Sequence, residues 1–84
     1  YQNTKTELTL KEFQVFDLLL RNEGKILSKE TFIERIWGFE DVEDSIVEVY
    51  ISFIRKKIKV LQLPYNIKTV RGAGYMLEGS EESV

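Results

Sequence analysis

The chain contains no cysteine and no histidine, and a single proline among its 84 residues. The missing cysteines remove any disulfide framework and any thiolate site, which suits the cytoplasm. Together with the missing histidines they also remove nucleophile–histidine pairs, histidine metal motifs and structural zinc sites. No apolar run approaches the eighteen or so residues of a membrane span, and no signal-peptide pattern opens the chain. Catalysis would have to rest on carboxylates, Lys, Tyr, Ser or Thr in one small domain. No enzyme activity, cofactor or metal is therefore expected.

What is present is 43% hydrophobic and 31% charged, a balance that fits a folded soluble globule. The net charge of −2 argues at first against a nucleic-acid partner, but it hides an asymmetry. Residues 1–48 carry a net −5. Residues 49–77 carry Arg55, Lys56, Lys57, Lys59, Lys68 and Arg71 without one acid, and 78–84 return to −3. A basic segment between acidic ones is either an electrostatic footprint or a solvated lysine-rich face.

Helix signals come first. Thr9 with Glu12 three residues on forms a capping-box pattern, opening a helix to about Asn22 with Gly24 as its stop. Its apolar residues Phe13, Val15, Phe16, Leu18, Leu19 and Leu20 cover far more than the roughly 100° stripe of a one-sided helix. Cover on two sides is expected. "KIL" at 25–27 reads as a short extended piece, and Ser28 caps a second helix ending at Gly38.

An acidic loop, "FEDVED", precedes a third helix capped by Asp44 or Ser45, which runs to about Leu61 before Pro64. In it Val47, Ile51, Ile54, Ile58 and Leu61 recur at core spacing. Ser45, Glu48, Val49, Ser52, Phe53, Lys56 and Lys59 lie away from that stripe, with Arg55 at its margin. Residues 65–70 and 75–78 read as two strands joined by Arg71-Gly72-Ala73-Gly74, a turn in which glycine supplies positive φ.

"TVRGAGY", 69–75, raises a phosphate-loop reading, since two glycines flank an alanine. It lacks the third glycine of a dinucleotide fingerprint and the Lys-Ser/Thr of a P-loop, and a strand rather than a helix follows. The acids Glu40, Asp41, Glu43 and Asp44 do not fit calcium-loop spacing and read as a solvated loop or a protein-contact surface. What remains is a helix with a polar, basic-ended face beside a hairpin with arginine at its tip. A helix fits the major groove, and an arginine on a hairpin fits a narrow minor groove.

The segments "LTLKEFQVFDLLLRNEGKILSKETFIERIWG", "DSIVEVYISFIRKKI" and "IKTVRGAGYML" resemble, in order and spacing, the winged-helix output domain of OmpR/PhoB-type response regulators. The resemblance covers about residues 8–77. It implies one α+β domain over 1–84, a winged helix-turn-helix of three helices with a C-terminal hairpin wing. Residues 1–7 leave room for one strand of an N-terminal sheet that family members usually have, and 78–84 form a polar tail.

The implied function is sequence-specific binding of double-stranded DNA, in tandem half-sites, as the output step of a two-component system. The resemblance puts the recognition helix at about 44–61 and gives it Ser45, Ser52, Phe53, Arg55 and Lys56 as DNA-facing positions. Thr69 and Arg71 match the wing, with Arg71 in the minor groove, and Trp37 and Tyr75 match phosphate-touching positions. Either aromatic also reads as core, and Arg55 as satisfied by Glu48 or Asp44.

Phe39, Glu40, Asp41 and Glu43 match a loop proposed to meet RNA polymerase. Ser45 and Phe53 depart from the family, which often has basic residues there. Phe53 is left open between a thymine methyl, a neighbouring protomer and plain exposure. By the resemblance the N-terminal sheet is shortened or missing. Either upstream residues are missing from this chain, or a neighbouring molecule covers the surplus apolar face of the first helix. The second reading implies self-association through its Val15/Leu18 side. A receiver domain is expected in the full-length parent. A winged helix used for protein–protein contact is the rival reading, carried by the negative total charge and Phe53.

Overall fold

The computed structural model describes residues 9–38 and 40–79. The strand expected within 1–7, Phe39, and the tail beyond Gly79 lie outside the described residues. Helix α1 spans Leu10–Arg21. Thr9 Oγ1 accepts from the Glu12 N–H at 3.2 Å while Glu12 Oε1 accepts from the Thr9 N–H at 3.0 Å, so the capping box is complete. Four orphan N–H groups open every helix, and this exchange satisfies one of them while bonding the cap's own N–H.

Strand β1, Ile26–Leu27, is followed by α2, Lys29–Phe32, with Ser28 Oγ accepting from the Thr31 N–H. The expected second helix then changes pitch. Ile33–Trp37 form a π-helical turn, closed by the Gly38 N–H donating to the Ile33 carbonyl at 2.8 Å. The wider turn still brings Ile36 and Trp37 into the core, and Gly38 ends it at φ 55°.

Helix α3 spans Ser45–Val60. Asp44 takes the N-cap position, one of the two expected, but in a helical conformation and without a side-chain cap bond. Val47, Ile51, Ile54 and Ile58 are buried, as their spacing required; Leu61 is only partly so. Strands β2, Tyr65–Val70, and β3, Gly74–Gly79, form an antiparallel hairpin whose partners include Ile67↔Leu77 and Thr69↔Tyr75. Strand β1 joins the other edge of β3 through Leu27↔Tyr75, giving the order β1-β3-β2.

The core lies where α1, α2 and α3 meet one face of this sheet, with Phe32, Leu19, Ile51, Ile54, Leu77, Val15 and Val47 fully enclosed. Full burial of a large apolar side chain is worth roughly 1.5–3 kcal/mol. One expectation for α1 needs correcting. Val15 is 1% exposed and Leu18 packs against the core, so neither forms a free surface. The apolar side chains that α1 leaves outside are Leu10, Phe13 and Leu20.

Candidate nucleic-acid interface

The outer face of α3 carries Ser45, Glu48, Val49, Ser52, Phe53, Lys56 and Lys59, with Arg55 at its margin, every one exposed. Helical pitch alone explains it: the four buried residues take one side, and everything a half-turn away faces water. Beside this face, the β2–β3 turn projects Arg71, Gly72 and Ala73 into solvent. Among the described residues no hydrogen bond or ion pair engages Arg71. Between turn and helix runs a groove of about 410 Å³, bordered by Lys29, Asp44, Glu48, Thr69, Arg71 and Tyr75 among others.

Helix and wing are joined by one side chain. Arg55 Nη2 donates to the Ile67 carbonyl at 2.8 Å and to Thr69 Oγ1 at 2.9 Å. Arg55 therefore finds its partners on β2, not on Glu48 or Asp44. Two of the expected contact residues, Arg55 and Thr69, bond each other and fix the wing against α3. Glu48 instead holds Lys29, across the mouth of the groove. That hydrogen bond is the main cause that raises the Lys29 pKa above its ordinary value, against a smaller lowering by desolvation.

Trp37 and Tyr75 prove to be core residues, 5% and 7% exposed. Tyr75 stacks edge-to-face on Phe32 at 6.3 Å, and its remaining edge borders the groove. Trp37 stacks on Tyr50 at 5.3 Å, and Tyr50 in turn on Phe53 at 5.5 Å, both edge-to-face. Lys11 lies over the Trp37 ring, its Nζ 5.5 Å from the centroid, and donates at 3.0 Å to the Ile36 carbonyl and to Glu40. The acidic loop is thus tied to α1 at Glu40; Asp41 and Glu43 stay exposed.

Of the six cations between 49 and 77, two serve the fold: Arg55 through β2, and Lys57 through the buried Glu12 at 3.9 Å. Lys56, Lys59, Lys68 and Arg71 remain exposed for an external anion. Sequence reasoning missed Lys11 and Lys29. Lys11 meets partners 25 and 29 residues away, and Lys29 meets Glu48 19 away, so no local signal announces them.

Comparison with known proteins agrees with this geometry. The model of the family described as "Transcriptional regulatory protein, C terminal" matches residues 3–77. The transcriptional regulatory protein CiaR of Streptococcus pneumoniae is 41% identical over 78 residues, covering 92% of this chain and 35% of CiaR. The regulatory protein VanRB of Enterococcus faecalis is 44% identical over 79 residues, covering 92% and 34%.

Among solved structures, the DNA-binding domain of Klebsiella pneumoniae RstA in complex with the RstA box superposes with a TM-score of 0.72. It is 32% identical, over 86% of this chain and 73% of that one. The chain spans about a third of the length of the curated relatives it matches. A three-helix core, a small antiparallel sheet with a projecting hairpin, and a family model matched over nearly all the residues lead to one assignment: the chain belongs to the transcriptional regulatory protein C-terminal family, the winged-helix output domains of OmpR/PhoB-type response regulators.

Proposed function

We propose that the chain binds double-stranded DNA sequence-specifically, with α3 in the major groove and Arg71 of the wing in the adjacent minor groove. The observation that carries this reading is the pairing of an exposed α3 face with an unengaged arginine on a wing that Arg55 holds to that helix. Ser45, Ser52 and Phe53 would face bases. Lys56 would meet phosphate. Thr69 would sit at the wing contact, while Trp37 and Tyr75 would act chiefly by shaping the surface around them.

Titration of random-sequence and selected duplexes over a salt series tests it. Phosphate contacts release counterions, so affinity must fall steeply with salt. Salt-insensitive behaviour with no duplex bound would leave the protein–protein reading in its place.

Within that reading Lys56→Ala has a specific signature. Removing one phosphate contact should weaken all sequences alike and lower the salt slope by about one. A change confined to particular sequences would assign Lys56 to bases.

The wider setting belongs to the same proposal. A receiver domain in the full-length protein would gate pairing on tandem half-sites in the cytoplasm, and Glu40, Asp41 and Glu43 would present an acidic edge to RNA polymerase. Self-association through α1 would use Leu10, Phe13 and Leu20. Light scattering of the chain tests this: mass rising with concentration supports it, and a monomer at high concentration removes it.

A further inference from the structure

The α3 face presented to the major groove has no free arginine with which to read guanine. Its exposed residues between Ser45 and Lys56 include two hydroxyls, Ser45 and Ser52, and the one carboxylate, Glu48, is occupied by Lys29. The arginine on that stretch, Arg55, is bonded to β2. Bidentate arginine–guanine contacts are therefore not on offer from this helix.

What the face does offer is apolar. Val49 is 43% exposed and Phe53 38%, four residues apart on the same side of α3. The Phe53 ring is braced against Tyr50, and Tyr50 against Trp37, so its outward edge is held in place rather than free to fold back.

We propose that Val49 and Phe53 together read the C5-methyl groups of neighbouring thymines in the major groove. The inference rests on the DNA-binding reading and deepens it. Thymine is the base that presents a methyl there, and Phe is among the side chains that meet it. Four residues of helix advance about 6 Å, on the scale of two base steps of about 3.4 Å each. The occupant is a duplex and not a protein for two reasons. Even with Val60, 64% exposed two turns beyond Phe53 on the same side, three side chains fall far short of the roughly 800 Å² per partner that a stable protein interface buries. The patch also continues directly into Lys56 and Lys59, which suit phosphates flanking a groove.

The test uses the 84-residue chain and a duplex selected from random DNA. Each thymine in turn is replaced by deoxyuridine, which removes the methyl and keeps base pairing. At one or two positions wild-type affinity should fall about fourfold per methyl, the worth of one buried carbon. Phe53→Ala should bring the thymine-to-deoxyuridine ratio to one at one of these positions, and Val49→Ala should do so at the other. Phe53→Leu, which keeps an apolar contact, should retain a ratio above one.

A wild-type ratio of one at every position, with steep salt dependence intact, overturns methyl reading and leaves DNA binding standing. A ratio that Phe53→Ala and Val49→Ala leave unchanged also overturns it. Absence of salt-dependent binding to any duplex overturns the functional reading itself.

Discussion

Gly74→Ala should destabilise the domain by on the order of 3 kcal/mol, while Gly72→Ala, two residues away, should cost only about 1 kcal/mol. Both glycines have positive φ, 147° at Gly74 and 75° at Gly72, so both exact a conformational penalty from any L side chain. Only Gly74 adds a collision. A Cβ built there lies 2.0 Å from the Leu27 carbonyl oxygen, 2.7 Å from its carbon and 2.9 Å from Ser28 Cα, whereas at Gly72 nothing lies within 4 Å.

The obstructing atoms at Gly74 are all backbone, so no rotamer change relieves them. Strand β1 must move off β3, and Ser28, the cap of α2, moves with it. For a domain this small each kcal/mol shifts the melting temperature by about 4–8 °C, so Gly74→Ala should melt about 12 °C or more below wild type. Denaturant unfolding of the two variants side by side is the check. Equal effects would mean that the approach of β3 to β1 is looser than described.

That contrast also marks where the sequence could be read and where it could not. The capping box at Thr9 and Glu12, the buried stripe of α3 and the hairpin all rest on spacings of two to four residues, and all are found. The two glycines were legible as a turn. The reason Gly74 must be glycine was not, because its neighbour Leu27 is distant in sequence and joins only through the β1–β3 pairing. The same separation hid the Arg55–β2 bond, where the nearby acids Glu48 and Asp44 were the local expectation.

The π turn at Ile33–Trp37 differs from an α-helix by one residue in its hydrogen-bond step, too little to alter the apolar pattern. On α1 the pattern told that apolar residues exceed one face. It could not tell which would remain outside, and Val15 rather than Phe13 took the core position because α3 and the sheet lie on that side. At the candidate interface the sequence supplied residue types and the resemblance supplied roles. Trp37 and Tyr75 show the limit: burial decides between ring packing and surface contact, and burial is a property of the assembled fold.

Arg71→Ala should weaken specific DNA binding by roughly 1–3 kcal/mol and flatten the preference for A·T pairs where the wing enters the minor groove. The wing tip holds Arg71 exposed, and among the described residues no ion pair would have to break before it met DNA. Narrow A·T-rich minor grooves concentrate negative potential, so an inserted guanidinium gains most there. The turn around it is fixed by the Ala73 N–H donating to the Val70 carbonyl at 3.0 Å and by the Arg55–Thr69 bond behind it. Truncating an exposed side chain should leave the melting temperature near wild type, which separates this variant from Gly74→Ala. Arg71→Lys keeps the charge but loses the planar donor fork, so it should recover part of the affinity and less of the A·T preference. Selection from random duplexes with each variant reads both quantities together. If Arg71→Ala binds every sequence as wild type does, the wing does not enter the groove, and specificity rests on α3 alone.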